Sequence, residues 1–177
     1  IGCSSMLAAI DLQNDIFDDR GSGYVKWTEK VKDGIEARIK MAVEEDEPII
    51  YTRNLYPEFE YDKRSEESIH FDEAIYPRFR NLLETHGDEY TKTFYGIPPD
   101  EAKSLLEKYR YDVENNRPIE FIGAETNICI LANIMVIQNV FPQAEIILNK
   151  NLVASTSDKL HDMSIEVLSN MKVTITG

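Results

Sequence analysis

Hydrophobic positions along the chain alternate between two patterns. Met6 to Ile10, Pro48 to Thr52, Ile119 to Ile122 and Ala144 to Leu148 are short, nearly unbroken apolar runs, as strands buried on both faces require. Glu89 to Phe94 and Lys172 to Thr176 are two further strand-like segments. Between them the apolar residues recur at helical spacing. Val31, Ile35, Ile39 and Ala42 predict a helix over about Glu29 to Glu45, with Thr28 as its cap. A second helix is predicted from Pro77 to Thr85, and a third from Asp100, as cap, to Tyr109. Ile130, Leu131, Ile134, Met135 and Ile137 mark a long apolar helix. Leu160, Met163, Ile165, Val167, Leu168 and Met171 mark a last amphipathic one, begun by Ser157 or Asp158. Arg53 to Ile75 has no clear period and reads as a long surface excursion of the lid or binding-loop kind. Six strands alternating with helices predict an α/β fold: a doubly wound, six-stranded parallel sheet with helices on both faces.

Length is compatible with a single domain over 1–177. Ile1 to Ser5, ahead of Met6, read as an appended scar or the remnant of a longer start; Gly2-Cys3-Ser4-Ser5 also resembles a bacterial lipidation site, which carries little weight beside that. A formal net charge of −13 gives no basic patch, so neither nucleic acid nor an anionic membrane is expected as partner. No apolar run approaches membrane-spanning length. Two cysteines, Cys3 and Cys129, make no disulfide framework, although a bridge between them stays open. A reducing, cytoplasmic setting is the simpler reading.

The chemistry converges on Phe121 to Ile137. A strand ends at Gly123, a polar turn of Glu125, Thr126 and Asn127 offers helix caps, and Cys129 stands at the expected helix start. Unpartnered N–H groups and the positive end of the helix dipole there favour thiolate. In a doubly wound sheet, ligands bind beyond the carboxyl ends of the strands, where strand order switches. Asp11 ends the first strand and Cys129 follows the fourth, so a carboxylate and a thiol can meet there.

Three segments carry a family resemblance. Asp11-Leu-Gln13-Asn-Asp-Ile-Phe17 resembles the opening of the isochorismatase-like cysteine hydrolases. Lys92, in Tyr90-Thr-Lys-Thr-Phe-Tyr-Gly96, matches their lysine, and Gly123-Ala-Glu-Thr-Asn-Ile-Cys129 matches their nucleophile turn. Phe141-Pro-Gln-Ala144 and Ala154-Ser-Thr-Ser157 through His161 resemble the nicotinamidase-like branch. The resemblance covers Met6 to Ile175.

The resemblance implies an Asp11–Lys92–Cys129 triad. Asp11 would act as general base, Lys92 would hold the charges and geometry, and Cys129 would form a thioester. It further implies an oxyanion hole from the backbone N–H groups of Glu125 and Cys129, and a cis peptide at Ala124–Glu125. Gln13, Phe17, Tyr56 and Phe94 would line the substrate pocket. Dimers or tetramers are common in the family. Its nicotinamidases hold a metal with an Asp-x-His pair after the second strand and a further His. Here those positions carry Asn54 and Tyr56, with His70 as the downstream candidate, a poor ligand set. No cofactor is therefore expected, and a divalent ion such as zinc is not favoured. His86 and His161 read as ordinary helix-end or surface histidines.

The preferred reading is a hydrolase cleaving the C–N bond of a small amide. The alternatives are a metal-free isochorismatase cleaving a vinyl ether, a ureido- or carbamoyl-amidohydrolase, and a catalytically silent small-molecule-binding member.

Overall fold

The structure, a computed structural model, describes residues 5–177. The readings made for Ile1 to Ser4, Cys3 among them, lie outside the described residues. Ser5 itself belongs to the fold, since its N–H donates to Glu47 Oε2 at 2.7 Å. The elements run β1 (Met6–Ile10), α1 (Asn14–Phe17), α2 (Thr28–Glu44), β2 (Ile49–Asn54), α3 (Glu66–Glu73), α4 (Pro77–His86) and β3 (Gly87–Lys92). They continue with α5 (Pro99–Glu114), β4 (Ile119–Ala124), α6 (Leu131–Val140), β5 (Ile146–Ala154), α7 (Asp158–Asn170) and β6 (Thr174–Thr176).

All strands are parallel, in the order β3-β2-β1-β4-β5-β6. The expected six-stranded, doubly wound α/β architecture is the observed one. Alternation along β1 divides the core in two. Met6, Ala8 and Ile10 face a cluster with Leu105, Ile134, Ile137 and Leu168, from α5, α6 and α7. Leu7 and Ala9 face Val31, Ile35, Ile39, Phe79 and Leu83, from α2 and α4. β1 and β4 are neighbours, and the chain leaves them in opposite directions across the sheet, which opens a crevice at their carboxyl ends.

Several local expectations are corrected. Arg53 to Ile75 is no irregular excursion: it holds a 3₁₀ turn (Glu58–Lys63) and α3. Its short amphipathic stretch, with Ile69 and Asp72 inward, is tied down from outside its own sequence. Asn14 N–H donates to Ala74 O, and Gln13 bridges to Ile75. Local periodicity is too short to reveal an element held by distant partners. Thr28 does not cap α2; its hydroxyl donates to Val25 O at 2.7 Å. Helix α5 runs to Glu114, five residues beyond Tyr109, because Val113 is buried against the sheet. Ser157 does cap α7, accepting from Leu160 N–H.

Gly123 is where β4 passes closest to the end of β1. It pairs with Ile10, its φ is +122°, and a Cβ there would lie 2.2 Å from Ile10 O. Gly123→Ala is expected to cost about 2–4 kcal/mol of folding stability, measured by urea denaturation. A cost below about 1 kcal/mol would mean that the two strands separate easily at this point.

Candidate active site

Four adjacent strand ends build the site. Asp11 follows β1 with a left-handed backbone (φ +53°), a conformation that turns the chain sharply and that Asp tolerates better than most residues. Thr52 lies opposite Ile10 on β2, so its hydroxyl reaches the neighbouring turn. It accepts from Asp11 N–H at 3.1 Å and donates to Asp11 Oδ1 at 2.7 Å. Lys92 is the last residue of β3, two strands from β1. Its four-carbon stem spans the intervening β2.

The ammonium of Lys92 uses all three of its donors. They go to Asp11 Oδ2 at 2.8 Å, Asn54 Oδ1 at 3.0 Å and Cys129 Sγ at 3.4 Å. The Lys92 and Asp11 side chains are 0% and 1% exposed, an ion pair that only mutual hydrogen bonding makes tolerable in the interior.

Cys129 is not at a helix start. A π-helical turn, Thr126–Ile130, precedes α6 and carries the cysteine as its fourth residue. The N–H groups of Ile128 and Ile130 both donate to the carbonyl of Glu125. Thr126 does not cap either: its hydroxyl bonds to Ala154 O and to His161 Nδ1. Burial, and then the negative charge of Asp11, push the Cys129 thiol up, against a smaller opposing pull from Lys92. The direction is thus opposite to the lowering that a helix start implies. A thiol raised in this way calls for a base beside it, and Asp11 lines the same cleft.

The Ala124–Glu125 peptide is cis. Glu125 is fastened by its side chain as well, whose carboxylate accepts from the N–H and hydroxyl of Thr156, both at 2.9 Å. Asn133, one turn beyond Cys129, donates to Cys129 O and Tyr95 O and accepts from Ile97 N–H. It thereby ties the loop after β3 to the cysteine turn.

A cleft of about 450 Å³ opens over Cys129 and Asp11, a volume suited to a small molecule. Tyr56, Phe94, Tyr95, Asn54 and Glu125 are among the residues that line it. Gln13 and Phe17 do not line it. Phe17 is fully buried in the α2/α4 core, edge-on to Phe79. Gln13 is a brace instead: its amide donates to Asn54 O and Glu73 O and accepts from Asn54 N–H. Their spacing after Asp11 is compatible with a wall, but the one-turn helix α1 rotates them inward.

The candidate metal donors do not converge. Asn54 Oδ1 is taken by Lys92, and the Tyr56 hydroxyl donates to Asp72 Oδ2 at 2.7 Å. His70 lies on a different cavity, with Arg53 and Arg80. The Arg64 guanidinium lies 4.1 Å from the centre of the Tyr56 ring, so the ring of this candidate donor packs against a cation. No set of three His, Cys, Asp or Glu side chains among the described residues is arranged to hold a metal. The donor set does not fit one. His161 is no surface histidine: it is buried, 4.7 Å from the Trp27 ring, and burial holds it below its ordinary pKa.

Sequence reasoning missed Thr52, Asn133, Asp15 and Arg64. An amide in the apolar first turn of α6, between Ala132 and Ile134, was the available signal for Asn133. The other three had none, because their partners are distant in sequence. Asp15 lines the cleft and is pushed up to about 6 by burial, against a backbone hydrogen bond from Gly23. A carboxyl raised in the folded state stabilises only below its unfolded value, and that stability is lost as pH rises through about 6. Asp15→Asn is therefore expected to exceed wild type by about 2 kcal/mol at pH 8, with the advantage vanishing near pH 4. Urea denaturation at both pH values tests this; an equal difference at the two would contradict it.

A doubly wound sheet with a buried lysine between a carboxylate and a cysteine at its switch point has the isochorismatase-like hydrolase fold. The isochorismatase domain model matches residues 5–177, and the chain belongs to that family. A nicotinamidase from Bacillus subtilis superposes with a TM-score of 0.80 at 18% identity, covering 98% of this chain and 99% of that one. The yeast nicotinamidase bound to the inhibitor nicotinaldehyde gives 0.79 at 13%, covering 97% and 99%. A pyrazinamidase of Pyrococcus horikoshii in complex with zinc gives 0.76 at 16%, covering 98% of each. No curated protein sequence matches. Among the described residues no helix is long and apolar enough to cross a membrane.

Proposed function

We propose that this chain is a cysteine hydrolase that cleaves the C–N bond of a small amide through a thioester, with Asp11, Lys92 and Cys129 as its triad. The observation that carries the reading is the buried Lys92 ammonium, shared between Asp11 Oδ2 and Cys129 Sγ, two residues that line the cleft. The nicotinamidases among the similar folds support the reaction class.

Asp11 takes the Sγ proton as the sulfur attacks the amide carbon. The carbonyl electron pair moves to oxygen, where the N–H groups of Glu125 and Cys129 receive it. Collapse breaks the C–N bond, and the proton held by Asp11 goes to the departing nitrogen, which leaves as ammonia from a primary amide. Asp11 then takes a proton from water as its oxygen attacks the thioester carbon. The carboxylic acid leaves, and that proton returns to the Cys129 thiolate. Lys92 keeps its charge throughout and offsets the negative charge as it moves between sulfur and carboxylate. Because the donor set around Asn54 and Tyr56 does not suit a divalent ion, no step runs through a metal.

The partner in this reading is a small amide and not a nucleic acid or membrane. The reactive thiol suits a cytoplasmic setting. Leu160, Met163 and Val167, exposed along α7, support assembly into a dimer or tetramer. The test is ammonia release from a panel of small amides, together with intact-protein mass after rapid quenching. An acyl adduct equal to substrate minus ammonia is expected on the wild-type chain and not on Cys129→Ala. Ammonia release that survives the substitution would overturn the covalent mechanism.

A further inference from the structure

The cleft contains a cationic group that the triad does not use. Arg64, the residue after the Glu58–Lys63 turn, lines the same cleft as Cys129 and Asp11. Its guanidinium is held in place without being hydrogen-bonded. It stacks over Tyr56 at 4.1 Å, and Tyr56 is itself fixed by Asp72 at 2.7 Å. Its Nε is buried and has no hydrogen-bond partner. The nearest carboxylate oxygen, Glu60 Oε2, lies 3.7 Å away, beyond hydrogen-bond reach. The remaining N–H groups of the guanidinium, on a side chain 31% exposed, have no hydrogen-bond partner among the described residues either and are open to an acceptor from outside the chain.

The other charges of the cleft are engaged or offset. Asp11 is paired with Lys92, Glu125 accepts from Thr156, and Asp15 accepts from Gly23 N–H at 2.8 Å. Glu60 also lies near Lys63, at 3.7 Å. Among the described residues that line this cleft Arg64 is the one cation, Lys92 being buried and bonded to Asp11, Asn54 and Cys129, and it presents a planar fork whose geometry matches a carboxylate.

We propose that Arg64 is a specificity-determining residue that binds a carboxylate of the substrate, so that the preferred amide is an anionic one carrying a carboxylate besides the scissile group. The substrate half of this assignment rests on the amidase reading above; the carboxylate-binding half does not. The stack on Tyr56 orients the guanidinium, so little rotamer freedom is lost when the carboxylate arrives. A neutral amide of the same size leaves the guanidinium unpaired in a partly dehydrated wall, which is the usual origin of strong discrimination between substrates.

Two matched pairs test it: 3-carbamoylbenzoate against benzamide, and succinamate against butyramide. In each pair kcat/KM for ammonia release is expected to favour the carboxylate by roughly 100-fold, chiefly through KM. In Arg64→Gln the ratio is expected to fall to within a few-fold of unity, and in Arg64→Lys, which keeps the charge but not the fork, to an intermediate value. Thermal melting reports whether each variant folds. A wild-type preference for the neutral amide, or a ratio unchanged in both variants, overturns the proposal. In parallel, isophthalate and succinate are titrated calorimetrically into wild type and Arg64→Gln. Carboxylate binding that depends on Arg64 without any amide turnover would sink the amidase reading and leave the Arg64 site standing. Turnover of amides with no carboxylate preference and no Arg64-dependent binding would do the reverse.

Discussion

Cys129→Ala is expected to lower kcat for amide hydrolysis by about 10⁴-fold or more while changing folding stability by less than about 1 kcal/mol. The two halves of this expectation have separate causes. Chemistry is lost because the remaining groups, a carboxylate paired with an ammonium, offer no nucleophile comparable with sulfur. The change corresponds to about 5 kcal/mol of transition-state stabilisation. Stability is nearly kept because Lys92 retains Asp11 Oδ2 and Asn54 Oδ1, its two oxygen partners, and loses only the weaker sulfur contact. Steady-state ammonia release and urea denaturation measure the two halves on one preparation. Residual activity above about 1% of wild type would contradict the nucleophile role. A stability loss of several kcal/mol would instead make the sulfur a structural contact.

Lys92→Met is expected to fail in both respects. The methionine fills much of the lysine volume, yet Asp11 is left 0% exposed with no cation. Breaking a buried ion pair from one side typically costs about 3–5 kcal/mol, because the surviving charge has no solvent to return to. Thr52 and its hydroxyl hydrogen bond offset only part of that cost. Turnover is expected to drop by about 10³-fold or more, because the cation that offsets negative charge passing between sulfur and carboxylate is gone. Urea denaturation, beside kcat at neutral pH, provides the comparison. A stability loss below about 1 kcal/mol would mean that the Asp11–Lys92 pair contributes packing rather than charge.

These expectations turn on distances that no local pattern contains. Phe17 illustrates the limit. Its place in a motif after Asp11 is compatible with a pocket wall, but α1 turns it into the core against Phe79, a residue from a helix sixty positions on. Cys129 shows the same limit in its electrostatics. A helix start predicts a lowered thiol, whereas burial and Asp11 raise it, and both terms come from tertiary packing. His161 reads as an ordinary helix-end or surface histidine in the sequence, yet Thr126 and Trp27 cover it from other elements. Arg64 was invisible for the same reason: an arginine in a charged loop is ordinary until the cleft and the missing partner are in view.

By itself the sequence determined the six strands, most of the helices between them and the parallel doubly wound class. Those properties follow from local apolar periodicity and from the sheet's preference for right-handed crossovers. Tertiary structure alone decided that Asp11, Lys92 and Cys129 touch, what each is buried against, and that Tyr56 packs against Arg64. Burial and hydrogen bonding between residues forty to eighty positions apart set those outcomes, as in the contacts of Asp11 with Thr52 and Lys92. Nothing in a neighbouring stretch of chain encodes them.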